Sequence, residues 1–357
     1  GRARGRSAGR PWPRAARAAA GVPVLAGGCG RVMRPDPCPA VTPGVGRRDV
    51  EPGRGRDDGE GSGGGAPPDG EMLTREELRS LTFGDFWIPE AERAAYRLAL
   101  RTLNAAGVPY VLSGLYALYT YTGVYRQTKD LDLLLEPVSV VPAARALREA
   151  GFRVRLEQAH WLAKAFRDHA VIDLIWGMGN GLHLVDRDWY RHSHPAILAA
   201  TPVRVAPAEE LIWHRLFIAE RHRTDVADIV HLILARGDLL DWERLLDRLG
   251  EHWPLLLGQV HFFDYVYPGY RDRIPGWVRE ELFERAYEQM RERGDPRVCR
   301  GTLVSRFSFA IDVREWGFRD PRAEAIAAAR ALPVIREIRE SDVWDDRPAG
   351  RGSGRGA

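Results

Sequence analysis

Apolar residues between positions 90 and 205 follow helical and strand-like spacings in turn. From 91 to 106 they recur three and four positions apart, which predicts a helix that Gly107 and Pro109 end. Further helices are expected at 115–121 and 141–150. Short apolar segments predict strands, at 110–112, 131–135, 152–156, 161–166, 171–176 and 202–205. This order predicts an α+β fold in which helices flank a mixed sheet, and it argues against a doubly wound fold.

The pattern becomes helical after residue 205. One long amphipathic segment spans 209–235, and further helices are expected at 242–249, 276–289 and 322–340. We therefore predict two domains, an α/β domain over 72–205 and an α-helical domain over 206–344. The Gly- and Arg-rich segment 345–357 is predicted to be a flexible tail.

Residues 1–71 differ in composition from the rest of the chain. They are dominated by Gly, Arg, Pro and Ala, which cannot bury a core, so we predict a disordered head. Helical patterning begins after Met72, which makes Met72 the expected physiological start. The head carries 12 Arg against 8 acidic residues, a net charge of +4 where the whole chain has +3, which leaves −1 for the remainder. A near-neutral folded part gives no general argument for binding to nucleic acid or to an anionic membrane.

The cysteines and the hydropathy of the chain restrict its class further. Cys29 and Cys38 lie in the predicted head, and Cys299 alone lies in the predicted folded part. This distribution excludes a disulfide framework and a Cys-based zinc site, and it favours a reducing compartment. No apolar segment approaches the length of a membrane span. We predict a cytoplasmic protein.

The candidate chemistry begins with Asp130 and Asp132, two residues apart at the start of an apolar strand. This spacing puts both side chains on one face of the strand. Two adjacent anions are costly unless a cation neutralises them, and hard oxygen ligands of this kind suit Mg²⁺ that carries substrate phosphates. Asp173 lies within the apolar segment 171–175, where a carboxylate is unfavourable unless it meets the same cations. We expect these three residues to be both metal ligands and catalytic residues.

The expected phosphate-binding groups precede the two aspartates along the chain. Ser113 and Gly114 lie at a strand-to-helix turn, which offers a hydroxyl, a backbone N–H and a helix N-terminus to a phosphate. Arg126, Thr128 and Lys129 come directly before Asp130 and supply further donors.

Each of these patterns has an ordinary structural alternative. An isolated Asp-x-Asp is more often a solvated loop, as at 186–188, and it is the turn, the strand and Asp173 that favour a metal site here. His192 and His194 have a spacing found at metal sites, but a surface loop is the better interpretation. A tyrosine cluster favours helix packing over base stacking, at Tyr116, Tyr119, Tyr121 and Tyr125.

These residues resemble the DNA polymerase β-like nucleotidyltransferase superfamily. The likeness covers about residues 85–235 and lies in Leu112-Ser113-Gly114 and Asp130-Leu131-Asp132-Leu133. The run 126–132 (Arg-Gln-Thr-Lys-Asp-Leu-Asp) is similar to that of stand-alone bacterial members, which include antibiotic-modifying enzymes and abortive-infection-type toxins. The resemblance implies transfer of a nucleoside monophosphate from an NTP such as ATP, with Mg²⁺ or alternatively Mn²⁺.

The same resemblance extends to a helical segment that carries a Lys and one or two Asp residues in such proteins. Here Arg215 takes the Lys position, where it can contact a phosphate, and Asp225 and Asp228 are expected on the acceptor side. The structural alternative for all three is a solvated helix face with salt bridges.

The sequence leaves several functions open. The first is a nucleotidyltransferase whose acceptor is a small molecule, a tRNA end or a protein side chain. The second is a catalytically silent module that binds a nucleotide or a protein in a toxin–antitoxin type system, with an antitoxin or a second copy of the chain as partner. The third, a helical scaffold, predicts no stabilisation by NTP and Mg²⁺.

Overall fold

The computed structural model describes residues 88–124 and 126–345. All of them belong to one compact unit, Ser62–Ala357. The predicted head over 1–71, the start at Met72, Tyr125 and the tail beyond 345 lie outside the described residues.

The α/β part is built on a mixed sheet of seven strands, in the order β3-β4-β5-β2-β1-β7-β6. These strands are β1 (Val111–Leu112), β2 (Leu131–Leu134), β3 (Arg153–Gln158), β4 (Leu162–Arg167), β5 (Ala170–Ile175), β6 (His194–Leu198) and β7 (Thr201–Val205). β1 runs antiparallel to β2 and parallel to β7, while β2 and β5 are parallel. β2 is therefore a central strand, which explains why its apolar residues are buried.

The helices of this part cover the sheet. They are α1 (Glu90–Ala105), α2 (Gly114–Thr122), α3 (Pro137–Glu149) and the short α4 (Arg187–Arg191). α1 buries Tyr96, Leu100 and Leu103, which recur at helical spacing, and the chain turns away at Gly107, where φ is +65°. α3 begins at Pro137, four residues earlier than predicted, because proline is well suited to the first turn of a helix.

The remaining described residues are mostly helical. The helices are α5 (Ala208–Leu216), α6 (Val226–Arg236), α7 (Trp242–Leu249), α8 (Trp253–Val266), α9 (Gly276–Gln289), α10 (Ala310–Arg314), α11 (Pro321–Ala331) and α12 (Pro333–Glu340). A two-stranded hairpin, β8 (Ala219–Glu220) and β9 (Arg223–Thr224), separates α5 from α6. The predicted fold class, a mixed sheet with flanking helices followed by a helical region, is confirmed. The boundary at 205/206 stays a prediction.

Two predicted long helices are each divided in the structure. The expected helix over 209–235 is wrong, because 219–225 (Ala-Glu-Arg-His-Arg-Thr-Asp) has no large apolar residue to bury and forms the hairpin instead. The expected helix over 322–340 is wrong at Leu332, whose ψ of 137° lies outside the helical region. Pro333 follows, and proline disfavours helical geometry in the residue before it.

Several elements were not predicted from the sequence, and α8 and β6 are two of them. α8 is apolar on most of its surface, so its pattern has no clear period. β6 begins at His194, which places that residue in a strand at the edge of the sheet and not in the expected surface loop. Within the described part of the chain, no helix is long and apolar enough to cross a membrane.

Candidate active site

The turn between β1 and α2 places a helix N-terminus beside β2. Ser113 is extended and caps α2 without a side-chain hydrogen bond to the helix amides, so its hydroxyl does not occupy them. Its N–H donates to the carbonyl of Asp132 at 2.9 Å. Gly114 has φ of +63°, and a Cβ at this position would lie 1.9 Å from Asp132 Oδ2. Only glycine fits here, because the Asp132 carboxylate lies against the first turn of the helix.

Asp130 and Asp132 enter the site from the start of β2. Asp130 accepts a hydrogen bond on Oδ1 from the Thr128 hydroxyl at 3.1 Å, which orients its carboxylate. The pKa of Asp132 is raised to about 7, first by burial and then by the negative charges of Asp130 and Asp173, while Arg215 and Arg223 oppose this shift. Among the described residues, no side chain donates a hydrogen bond or forms an ion pair with Asp132. Its ionised form therefore needs a cation that the described side chains do not provide.

Asp173 lies next to Asp132 across the sheet but has a partner of its own. β2 and β5 pair Asp132 with Asp173, and β5 and β4 pair Asp173 with Lys164. Lys164 Nζ donates to Asp173 Oδ1 at 2.5 Å and to Oδ2 at 2.8 Å. Burial raises the pKa of Asp173, and the Lys164 ammonium opposes that shift. Lys164 was not among the predicted site residues, because its contact depends on the register of two strands.

Arg126, Arg215 and Asp228 form a cluster that joins the Asp130 loop to α5 and α6. Arg126 donates to both carboxylate oxygens of Asp228, at 2.6 and 2.7 Å. Arg215 Nε donates to Asp228 Oδ2 at 3.2 Å, and Arg215 Nη2 donates to the Gly114 carbonyl at 3.1 Å. Asp228 is only 2% exposed, so the interpretation of this face as solvated is wrong. Through the Arg215 contact to the Gly114 carbonyl, this cluster holds the turn between β1 and α2 in place.

The hairpin between α5 and α6 adds a positive charge that the sequence analysis missed. Asp225 forms an ion pair with Arg223 at 3.3 Å, and it is itself nearly buried. Arg223 remains largely exposed. Its pKa is raised, chiefly by the hydrogen bond and charge of Asp225 and to a smaller extent by the charges of Asp132 and Asp130, which are therefore close to its guanidinium. The basic segment 221–223 (Arg-His-Arg) could have indicated this positive charge, but the sequence analysis placed it within the predicted helix over 209–235.

The other predicted residues lie as follows. Lys129 is exposed beside Asp130. Tyr116 and Tyr121 are buried in the core, where the Tyr121 hydroxyl donates to the Ala206 carbonyl at 2.8 Å, and this confirms helix packing for both. Tyr119 is half-buried, and His192 is exposed.

The carboxylates fit a metal ion that also binds a nucleotide. In residues 88–124 and 126–345, no group of three or more His, Cys, Asp or Glu side chains is arranged to hold a metal ion. Mg²⁺ does not require such a cage, because it is commonly held by one or two carboxylates together with substrate phosphates. Asp130 and Asp132, which has no partner among the described side chains, lie beside a helix N-terminus and match that ligand set.

Comparison with known families identifies this part of the chain. Residues 93–253 match a family described as "Uncharacterised nucleotidyltransferase". Over these residues, which are less than half of the chain, the sequence is similar to nucleotidyltransferases. The predicted nucleotidyltransferase relationship is confirmed, and with it the assignment to the transferase enzymes. The match includes the turn, all three aspartates and the Arg215 cluster.

Solved structures of nucleotidyltransferases are similar to the chain at low identity. The antibiotic-resistance factor ANT(2'')-Ia is 18% identical, with 48% of this chain and 97% of that chain covered and a TM-score of 0.34. The lincosamide antibiotic adenylyltransferase LnuA, with lincomycin bound, is 16% identical, with coverage of 39% and 94% and a TM-score of 0.29. An antigenic nucleotidyltransferase-like protein from Paracoccidioides brasiliensis is 14% identical, with coverage of 52% and 93% and a TM-score of 0.30. Likenesses this distant indicate nothing about the substrate. No curated protein matches the chain.

Proposed function

We propose that this nucleotidyltransferase moves a nucleoside monophosphate from an NTP to an acceptor hydroxyl or phosphate, with Mg²⁺ held by Asp130 and Asp132. The observation that carries the proposal is the Asp132 carboxylate. It lies beside Asp130 and the N-terminus of α2, with a pKa of about 7 and no donor among the described side chains. Mg²⁺, or Mn²⁺ in its place, would neutralise these carboxylates and polarise the nucleotide phosphates.

The triphosphate is expected to lie over the start of α2. Ser113 leaves the first amides of the helix unoccupied, and these amides with the helix dipole favour an anion. Lys129 is exposed next to Asp130 in the chain, and Arg223 is close enough to Asp130 and Asp132 for their charges to act on it, so both would contact phosphate oxygens. Arg126 and Arg215 hold Asp228 and the Gly114 carbonyl, so their main contribution is to position the turn.

Asp173 is expected to accept a proton from the acceptor. In the proposed step the acceptor oxygen forms a bond to the α-phosphorus, and the bond from that phosphorus to pyrophosphate breaks. The acceptor proton passes to the Asp173 carboxylate, and pyrophosphate leaves with the electron pair of the broken bond. Lys164 donates to both oxygens of this carboxylate and thereby orients it, and its positive charge favours the ionised form.

The acceptor is expected to be a small molecule. The sequence beyond residue 71 has a net charge of about −1, which gives little attraction for a polyanion such as tRNA. A protein acceptor is the second class to be tested.

The direct test follows labelled phosphate from NTP to product. The full chain is incubated with Mg²⁺, a panel of aminoglycosides, lincosamides, tRNA and proteins, and NTP labelled at either the α or the γ position. The proposal expects transfer of the α label only, with release of pyrophosphate, and loss of transfer in Asp132→Asn.

The matched control is Asp188→Asn, in the other Asp-x-Asp of the chain, whose side chain is 45% exposed and pairs with Arg191. Transfer that survives Asp132→Asn would overturn the proposal, and so would an equal loss of transfer in Asp188→Asn. Binding of NTP with Mg²⁺ and no transfer to any acceptor would favour the silent module.

A further inference from the structure

The sheet carries a row of charged residues that crosses four strands at one level. Strand pairing places Arg155 beside Lys164, Lys164 beside Asp173, and Asp173 beside Asp132. Paired residues on neighbouring strands project to the same face of a sheet. The row therefore has two positive side chains followed by two negative ones. It ends at Asp132, which has no partner among the described side chains.

Asp173 was expected to bind a metal ion, and the Lys164 ammonium occupies the position beside its carboxylate. Its ammonium contacts both oxygens of the Asp173 carboxylate, at 2.5 and 2.8 Å. The two side chains are only 24% and 10% exposed, so water does little to weaken this pair. With both oxygens engaged by an ammonium, Asp173 has little capacity left for a divalent ion.

The composition of the chain supports a specific use of lysine here. Of the 52 basic residues, two are Lys, and these are Lys129 and Lys164, both beside the aspartates of the site. The remaining 52 − 2 = 50 basic residues are all Arg. Lys carries a compact charge on a flexible stem, whereas the larger planar guanidinium of Arg is suited to extended fork contacts.

We propose that the Lys164 ammonium takes the place of a second divalent cation at Asp173, so that the site binds one divalent ion, between Asp130 and Asp132. This inference rests on the proposed function, because it assumes that the aspartate pair binds a metal. Lys164 is then a positioning residue for Asp173, and Asp173 is not a metal ligand. This role of Asp173 differs from the expectation from the sequence, in which Asp173 is a metal ligand.

The test counts the Mn²⁺ ions bound to the full chain, by electron paramagnetic resonance of the free ion in a titration with Mn²⁺ alone. Wild type is expected to bind one ion, Asp132→Asn none and Asp173→Asn one. Lys164→Met is expected to bind two, because Asp173 becomes free, and the double variant Lys164→Met/Asp173→Asn returns to one. Arg155→Met is the matched control and is expected to stay at one, since Arg155 pairs with Glu157 and not with Asp173.

Two ions in wild type, or one ion that is lost in Asp173→Asn, would overturn the inference and leave the metal site intact. A single ion in folded Lys164→Met would also overturn it. If Lys164→Met does not fold, the numbers of Mn²⁺ ions bound by wild type and by Asp173→Asn still test the inference. No Mn²⁺ bound by wild type would overturn both this inference and the metal site of the proposed function.

Discussion

The structure buries carboxylates in two regions with different surroundings. Where α5 meets α7, Glu209 accepts from Arg244 at 2.7 Å and Glu210 accepts from Arg244 at 2.9 Å. A second arginine, Arg248, lies 3.5 Å from Glu210 and also pairs with Asp186. At the start of β2, by contrast, Asp132 has no donor among the described side chains. In the first region each buried carboxylate is paired with an arginine, which indicates a structural role. In the second region the Asp132 carboxylate has no positive partner among the described side chains.

The pKa values alone do not distinguish these two regions. Burial raises the pKa of Glu210 and of Asp132 to about 7 in both cases. The next contribution differs in sign, since Arg244 lowers the pKa of Glu210 whereas Asp130 raises that of Asp132 further. The missing partner, and not the shifted pKa, is therefore what marks a ligand site here.

The largest expected effect is on activity, in Asp132→Asn. This change removes the charge that holds the metal, so we expect transfer to fall about 10³-fold, or ~4 kcal/mol of transition-state stabilisation. It also removes a buried charge without a described partner, so the melting temperature without metal should not fall. Steady-state rates with Mg²⁺ and a thermal melt without metal check both parts. A lower melting temperature with normal activity would make Asp132 a structural residue like Glu210.

The next largest effect is on stability, in Arg244→Met. The variant leaves Glu209 and Glu210 buried with less positive charge, and breaking a buried pair of this kind costs about 3 kcal/mol in the free energy of unfolding. Denaturant unfolding measures it. Arg191→Met is the control, because Arg191 and Asp188 form an exposed pair at 3.1 Å that contributes about 1 kcal/mol or less. Equal losses in the two variants would mean that the buried cluster is not structural.

A smaller and more selective effect is expected in Gly114→Ala. Its control is Gly107→Ala, since the two glycines have φ of +63° and +65° but only Gly114 lacks space for a Cβ. Both variants should lose about 1 kcal/mol of stability from the left-handed backbone. Gly114→Ala alone should also lose about 10²-fold in activity, because the Cβ displaces the Asp132 carboxylate. Equal activity in both variants would show that the position of this carboxylate is not critical.

The smallest effect is expected in Arg223→Met, on the exposed hairpin. Arg223 is 65% exposed, so loss of its charge should weaken binding of NTP with Mg²⁺ about threefold, or ~0.7 kcal/mol. Arg221→Met changes the same kind of side chain two residues away and should leave KM unchanged. An equal rise in KM for both would indicate a general field of the hairpin and no specific phosphate contact.

The sequence was sufficient for the local features of the fold. β2 and β5 are short apolar segments with one charged residue each, and the spacing of Asp130 and Asp132 needs no tertiary information. Elements without a clear period were missed. α8 buries Leu256 and Val260 but leaves apolar Tyr265 exposed, which hides its helical pattern.

The part of the site that the sequence did not reveal depends on strand register and long-range contacts. Lys164 meets Asp173 because β4 and β5 pair at that level, and a shift of one residue would turn it to the opposite face. The contact of Arg126 with Asp228 joins positions 102 residues apart. The sequence pattern predicts local elements, whereas these contacts depend on how the strands and helices are arranged in the folded chain.

The central claim, that Asp130 and Asp132 hold the metal of a nucleotide-binding site, is tested most directly by a crystal structure of the full chain with Mn²⁺ and an α,β-methylene NTP. The account predicts an anomalous peak within coordination distance of an oxygen of each carboxylate, with phosphate oxygens completing the ligands over Ser113 and Gly114. No peak between these carboxylates, or a nucleotide bound away from the start of α2, would contradict it.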